Sequence, residues 1–190
     1  VAIAGGDAGR FRHLELDSCF PVVPKMALRT LGLDPGLHPP TVAGGLTFFG
    51  GPLNNYMSHA IAAMVRALRA HTGELGLLYG QGGYVNKHHA LVLSTALAPT
   101  PMATDYSVQA VADAARGPTP PLREGYAGPA VIETYTVRYA RDGAPIDAII
   151  IARAPDGGRV MASAPASDAE TIALLTSTQR TAVGVHGQVQ

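Results

Sequence analysis

The sequence predicts an α/β unit followed by a small antiparallel β-barrel of OB-like form. Three observations lead there. Residues 1–98 alternate short apolar strand-like runs with segments whose apolar residues recur at helical spacing. Residues 99–124 are dense in proline and glycine, as a linker would be. Residues 125–190 hold short alternating runs joined by Asp-Gly turns, the pattern of a small all-β domain.

In the first unit, Phe11 to Leu16 alternates apolar and polar residues and reads as a strand. Pro21 suits the first turn of a helix, and Val22, Val23, Met26, Ala27 and Leu31 follow at helical spacing until Gly32 and Pro35 end it. Gly44-Gly45-Leu46-Thr47-Phe48-Phe49-Gly50-Gly51-Pro52 is a shaped loop, because paired glycines permit positive φ and close backbone approach. Asn54 or Asn55 can cap the next helix with its side-chain oxygen, and Met57, Ile61, Met64, Val65 and Leu68 form its apolar face up to Thr72-Gly73. Leu75 to Tyr79 reads as a buried strand, Gly80 to Gly83 as a tight turn and Ala90 to Ser94 as another strand. The layer expected is a sheet with one face covered by helices.

Within the linker only Tyr106 to Ala115 can order as a short helix. Beyond it, Val131 to Tyr139 alternates strongly, Asp142-Gly143 is a hairpin signal, and Ile146 to Ala152 follows as a strand. Asp156-Gly157-Gly158 turns the chain into Val160 to Ser163. A short helix over Asp168 to Leu175 and a closing strand over Thr181 to Val189 complete the expected barrel.

Composition narrows the function classes. With 47% hydrophobic and 15% charged residues the chain is built to fold, since disorder needs low hydrophobicity and high net charge. Fourteen basic residues balance fourteen acidic ones, so no global field draws nucleic acid or an anionic membrane. The one cysteine, Cys19, excludes an internal disulfide and a cysteine-cluster zinc site, and fits a reducing compartment such as the cytoplasm. No apolar run reaches the ~18 residues of a spanning helix. Val1 to Gly6 is too short for a secretory signal, and the missing initiator methionine is read as a piece of a longer polypeptide.

Among candidate chemical groups, Cys19 lies between a strand and a helix whose dipole favours a thiolate, although a free cysteine is more often a small buried hydrophobe, the reading preferred here. His13, His59, His88 and His89 could each supply a base to it. Gly80-Gln81-Gly82-Gly83-Tyr84-Val85-Asn86-Lys87 has the wrong spacing for a phosphate loop. His88 and His89, adjacent in a strand, point to opposite faces and would not share an ion, so no metal site is expected. Glu15 and Asp17 share a strand face, for which surface exposure is the commoner outcome.

Three segments in series resemble the C-terminal half of a thiolase. Leu16-Asp17-Ser18-Cys19-Phe20 is similar to the family's Asn-Glu-Ala-Phe loop. Gly44-Gly45 with Gly50-Gly51-Pro52 and a long helix is similar to its Gly-Gly … Gly-His-Pro loop. Leu75 to Ser94 is similar to its last two strands around the Cys-x-Gly turn. The order and separations match over about residues 8–98. Gly44 to Tyr56 and Gly82 to His88 look most like thiolase-like proteins that append a small β-barrel, which residues from about 125 onward resemble.

The resemblance implies an acetyl-CoA acetyltransferase-like scaffold of lipid metabolism with a coenzyme A thioester as ligand and no covalently bound cofactor. It also implies a partner: the N-terminal half, which carries the family's acyl-accepting cysteine, or another subunit. By position, Gly45, Phe48, Gly50, Gly51, Asn54, Gly82 and Gly83 would bind the ligand, with Phe49 and Tyr84 adding apolar contact. Where the family has the activating histidine this sequence has Gly51, where it has the oxyanion asparagine there is Asp17, and the region of its second cysteine, Tyr79-Gly80-Gln81, has none. Condensation needs nucleophile, proton shuttle and oxyanion donors together, so thiolysis is not expected. Three functions stay open: a thioester-binding fold without thiolase chemistry, with the barrel as lid or docking surface; a different enzyme such as an acyl-thioester retro-aldolase, with Tyr56, Tyr84, Asp17 or His88 as acid/base groups and Asp17, Cys19, Tyr84 and His88 as the catalytic candidates; or a non-catalytic interaction module.

Overall fold

The structure, a computed structural model, describes residues 5–98, 101 and 104–190. The expectations for Val1 to Ala4, and for Pro99, Thr100, Met102 and Ala103 of the linker, lie outside the described residues. The chain divides into two compact units, Val1–Asp105 and Tyr106–Gln190.

Unit one is a three-stranded sheet ordered β1-β2-β3, from β1 (Phe11–Leu16), β2 (Leu75–Gly82) and β3 (Lys87–Ser94). β1 and β2 are parallel, with Leu14 opposite Leu77 and Leu16 opposite Tyr79, while β2 and β3 form an antiparallel hairpin. The β1-to-β2 crossover carries α1 (Val22–Leu31), the single turn α2 (Leu46–Phe49) and α3 (Tyr56–Ala70). α1 ends at Gly32, whose φ of 68° is the left-handed C-cap conformation that glycine adopts without a Cβ penalty.

Both faces of this sheet are covered, not the single face expected. Leu14, Leu16 and Leu77 pack with Leu28 on one side, while the next residue of β2, Leu78, packs with Tyr56, Ala60, Met64 and Leu68 of α3 on the other. Strand alternation makes this possible, because neighbours along β2 point to opposite faces. The buried stripe of α3 is Tyr56, Ala60, Ala63, Met64 and Leu68. Ile61, expected on that stripe, is exposed, since alanines let the helix approach the sheet on a rotated face. Asn55 precedes α3 without a side-chain cap hydrogen bond, because a 3-10 turn over Leu53–Asn55 leads into the helix instead. β2 runs on through Gly80 to Gly82, so these two glycines, expected to reverse the chain, are strand, while Gly83 opens the turn that runs to Asn86.

Unit two is an antiparallel sheet ordered β6-β5-β4-β7 that curls as a half-barrel. Its strands are β4 (Gly128–Tyr139), β5 (Pro145–Arg153), β6 (Arg159–Pro165) and β7 (His186–Val189). α4 (Gln109–Ala115) precedes them, and α5 (Ala169–Leu175) starts at Asp168, whose side chain accepts from the Thr171 amide. The core joins Ile132, Ala148 and Ala164 to Ile172 and Leu175 of α5, the small residues on the sheet admitting the helix closely. The closing strand is shorter than expected. Before it, Gly184 donates to the Ile132 carbonyl and Ile132 to the Val185 carbonyl, which anchors the approach without a regular ladder. Among the described residues no helix is long and apolar enough to cross a membrane.

Candidate functional site

Parallel strands deliver their C-terminal ends to one edge, where ligands of open α/β sheets commonly bind. Here β1 ends at Leu16, and the Asp17 amide still pairs with the Tyr79 carbonyl at 3.0 Å. The Asp17 carboxylate is buried, not surface-exposed as the sequence suggests. Its Oδ1 accepts from the Cys19 amide at 3.3 Å and its Oδ2 from the Gln81 amide at 3.1 Å. One side chain thus binds the β1–α1 turn to the end of β2.

Glu15, also expected at the surface, is fully buried on the α3 side of the sheet. Its Oε2 accepts from the Thr41 hydroxyl at 2.7 Å and from the Val42 and Ala43 amides at 3.0 and 2.9 Å. Its Oε1 accepts from the Tyr56 hydroxyl at 2.5 Å. Burial, and then the hydrogen bond to Glu15, hold the Tyr56 phenol well above its ordinary range. Thr41 Oγ1 in turn accepts from the Gly44 and Gly45 amides at 2.8 and 3.0 Å. Ser18 Oγ accepts from the Leu46 amide at 3.0 Å. The glycine loop is therefore fixed from two sides. Gly45, at φ 73°, is there by necessity, because a Cβ would meet Ser18 Oγ at 2.9 Å.

Between this loop, α3 and the sheet edge lies a cleft of about 260 Å³ lined by Asp17, Cys19, Leu46, Leu53, Asn54, Tyr56, Met57 and Gln81. Cys19 is exposed there, not a core residue, and its sulfur contacts the Gln81 side-chain amide. Gln81 Oε1 accepts from the Val85 amide at 3.1 Å, so one glutamine connects the cleft to the hairpin tip. Val85 holds φ 61°, an uncommon conformation for a β-branched residue.

The sequence-predicted residues thus divide. Asp17, Cys19, Asn54 and Tyr56 come together in the cleft, and Gly45 supports its wall. Phe48, Gly50, Gly51, Gly82, Gly83 and Tyr84 do not line it. Phe48 and Tyr84 are exposed, and Phe49 stacks on His59 at 5.3 Å. His88 belongs to a second, apolar hollow of about 360 Å³ between α1 and the hairpin. There His88 Nδ1 lies 2.7 Å from the Tyr79 hydroxyl, whose pKa is raised by burial and then by the neighbouring Asp17 and Cys19 charges. Ser18, Thr41 and Gln81 are not among the site residues that the sequence predicts. Glu15 carried a faint signal, a carboxylate between core leucines Leu14 and Leu16, whereas Gln81 carried none.

Residues 108–190 match the family described as thiolase-like protein type 1 additional C-terminal domain. The chain is similar to the crystal structure of a monomeric SCP2-thiolase-like protein type 1 from Mycobacterium smegmatis, with 34% identity and a TM-score of 0.76. That alignment covers 94% of this chain and 38% of the other, so the chain spans well under half the length of its structural relative. No curated protein matches.

Proposed function

From the premise that this is a thiolase-superfamily-like protein with the type 1 additional C-terminal domain, we propose that its cleft binds the thioester end of an acyl-coenzyme A and performs no thiolysis. The observation that carries this reading is the cleft itself, at the ends of the two parallel strands, with polar Asp17, Asn54 and Gln81 beside apolar Leu46, Leu53 and Met57. A small ligand with a polar head and a short acyl chain suits such mixed walls.

The same geometry argues against condensation. A thiolase must stabilise an oxyanion and an enolate, but here an acidic side chain sits at the floor and already takes the Cys19 and Gln81 amides. A carboxylate about 4 Å from a developing oxyanion opposes it by about 4 kcal/mol at an effective dielectric of roughly 20. Gly51 supplies no base where the family has its histidine, and it lies outside the cleft.

Titration of the chain with acetyl-coenzyme A, and with acetoacetyl-coenzyme A in the presence of free coenzyme A as the thiol for any cleavage, followed by thermal shift, tests the reading. Stabilisation by the thioesters, without release of cleaved product, is the expected result. The absence of any shift would remove thioester binding from this chain's residues.

The Tyr79–His88 pair favours a second reading, an acid/base enzyme such as a retro-aldolase on the same scaffold. A phenol within 2.7 Å of an imidazole can exchange a proton with it. Turnover of a β-hydroxyacyl thioester, lost in His88→Ala, would establish that reading in place of the first.

A further inference from the structure

At the opposite end of β1 and β2 from the cleft, three side chains with metal-binding atoms converge. His13 lies on β1, opposite Gly76 of β2. His71 follows the last turn of α3, and Glu74 immediately precedes β2. The ligand atoms of the three lie within 4.8 Å of one another. His13 Nε2 is 2.7 Å from Glu74 Oε2, and the His13 and His71 ring centroids are 5.1 Å apart.

We propose that His13, His71 and Glu74 form a zinc site that ties the α3–β2 connection to β1. The donor set points to zinc: two imidazoles and one carboxylate make a borderline site, whereas magnesium and calcium seek oxygen ligands. Tetrahedral zinc with ligands at about 2.0–2.2 Å places them roughly 3.3–3.6 Å apart. That spacing falls between the 2.7 Å His13–Glu74 contact and the 4.8 Å limit of the cluster. The donors therefore bracket the spacing that an ion needs.

The backbone beneath the ligands is fixed. The His71 amide donates to the Ala67 carbonyl at 3.1 Å and the Glu74 amide to the His71 carbonyl at 3.3 Å. Between them Gly73, at φ 85°, makes the reversal and donates to Thr95 Oγ1 at 2.8 Å, while Ser94 Oγ donates to the Glu74 carbonyl at 2.9 Å. A simple hydrogen bond between His13 and Glu74 needs neither this turn nor a second imidazole. His71 is exposed, which leaves the fourth position to water, the arrangement of an open zinc site.

Metal-free chain, titrated with zinc chloride and separately with cobalt(II), tests the site. One equivalent should bind, raise Tm, and give the intense visible bands of four-coordinate cobalt. His71→Ala and His13→Ala should each weaken zinc binding by more than about ten-fold, the loss that even an outer-shell partner causes. His38→Ala, outside the cluster, should bind as the parent does. Absence of binding overturns the proposal, and so does equal binding by the parent and His71→Ala, which would place the ion elsewhere. Should His13→Ala fail to fold, His71→Ala decides alone, because that exposed side chain can be removed without opening the core.

Discussion

The Tyr56 hydroxyl donates to Glu15 Oε1 at 2.5 Å, joining the first turn of α3 to the edge strand β1 through a fully buried carboxylate. The other carboxylate oxygen takes two backbone amides and a hydroxyl from the segment before the glycine loop. Sheet, helix and loop thus share one buried acceptor. A buried charge is tolerated only when its hydrogen bonds are complete.

Tyr56→Phe removes one of those donors and leaves Glu15 Oε1 short of a partner. The expected cost is about 1–3 kcal/mol, the range for an orphaned buried acceptor. Urea unfolding should show a lower midpoint with an unchanged slope, because the exposed surface is the same in both proteins. An unchanged midpoint would mean that water replaces the phenol.

Alkali should also unfold the first unit in a defined way. Tyr56 and Tyr79 both have folded pKa values raised above the ordinary 10.0, chiefly by burial. The unfolded chain then releases protons that the folded one keeps, so this stability is present below pH 10 and is lost as pH rises beyond it. A plot of Tm against pH should fall above about pH 10, and the fall should be shallower in Tyr56→Phe.

In the second unit the electrostatics run the other way. Glu133 on β4 accepts from Arg153 Nε of β5 at 2.8 Å and from Arg159 Nε of β6 at 2.6 Å, clamping three strands. It sits where the β4–β5 register shifts between Ile132 and Thr134, and the bulge frees its side chain to reach both arginines. The hydrogen bonds from Arg159 and then Arg153 lower its pKa below the ordinary 4.5. The stabilisation is therefore present above that value and fades as pH falls through the folded pKa. Glu133→Gln should flatten the acid limb of the Tm–pH curve, and added salt should shrink the difference between the two proteins.

Periodicity made the strands and helices of both units legible, because strand alternation and helical spacing are local properties. Phe11 to Leu16 and Val22 to Leu31 read directly from their apolar spacing. The rotation of α3 did not, since small alanines at Ala60 and Ala63 face the sheet where larger Ile61 was the stronger signal. The site was half legible. Asp17 and Cys19 stand out by chemistry, but Asp17 is buried and Cys19 exposed, the reverse of what their local sequence suggests, because burial depends on what the chain brings back from far away. Gln81 returns to Asp17 across 64 residues, and no local pattern announces such a contact.

Exposure of Cys19 gives the cleft a chemical handle. One equivalent of a thiol reagent should react with the folded chain without denaturant, since the sulfur is exposed and contacts only the Gln81 amide among the hydrogen bonds described. A bulky adduct would fill part of the 260 Å³ cleft. The labelled chain should then lose its thermal shift with acetyl-coenzyme A. Retention of the full shift would place the ligand elsewhere.

Asp17→Asn examines the charge at the cleft floor. The substitution keeps an oxygen to accept from the Cys19 or Gln81 amide, but turns an NH2 toward the other. Removing the negative charge should strengthen binding of an acyl-coenzyme A thioester whose carbonyl oxygen faces the floor. An increase of about ten-fold corresponds to roughly 1.4 kcal/mol, well inside the electrostatic opposition of a close carboxylate. Thiolysis should still be absent, because an amide restores neither a proton shuttle nor a second cysteine, and Cys19 is the only cysteine of the chain. Tighter binding without turnover would make Asp17 a determinant of affinity, whereas weaker binding would mean that its two backbone hydrogen bonds matter more to the cleft than its charge.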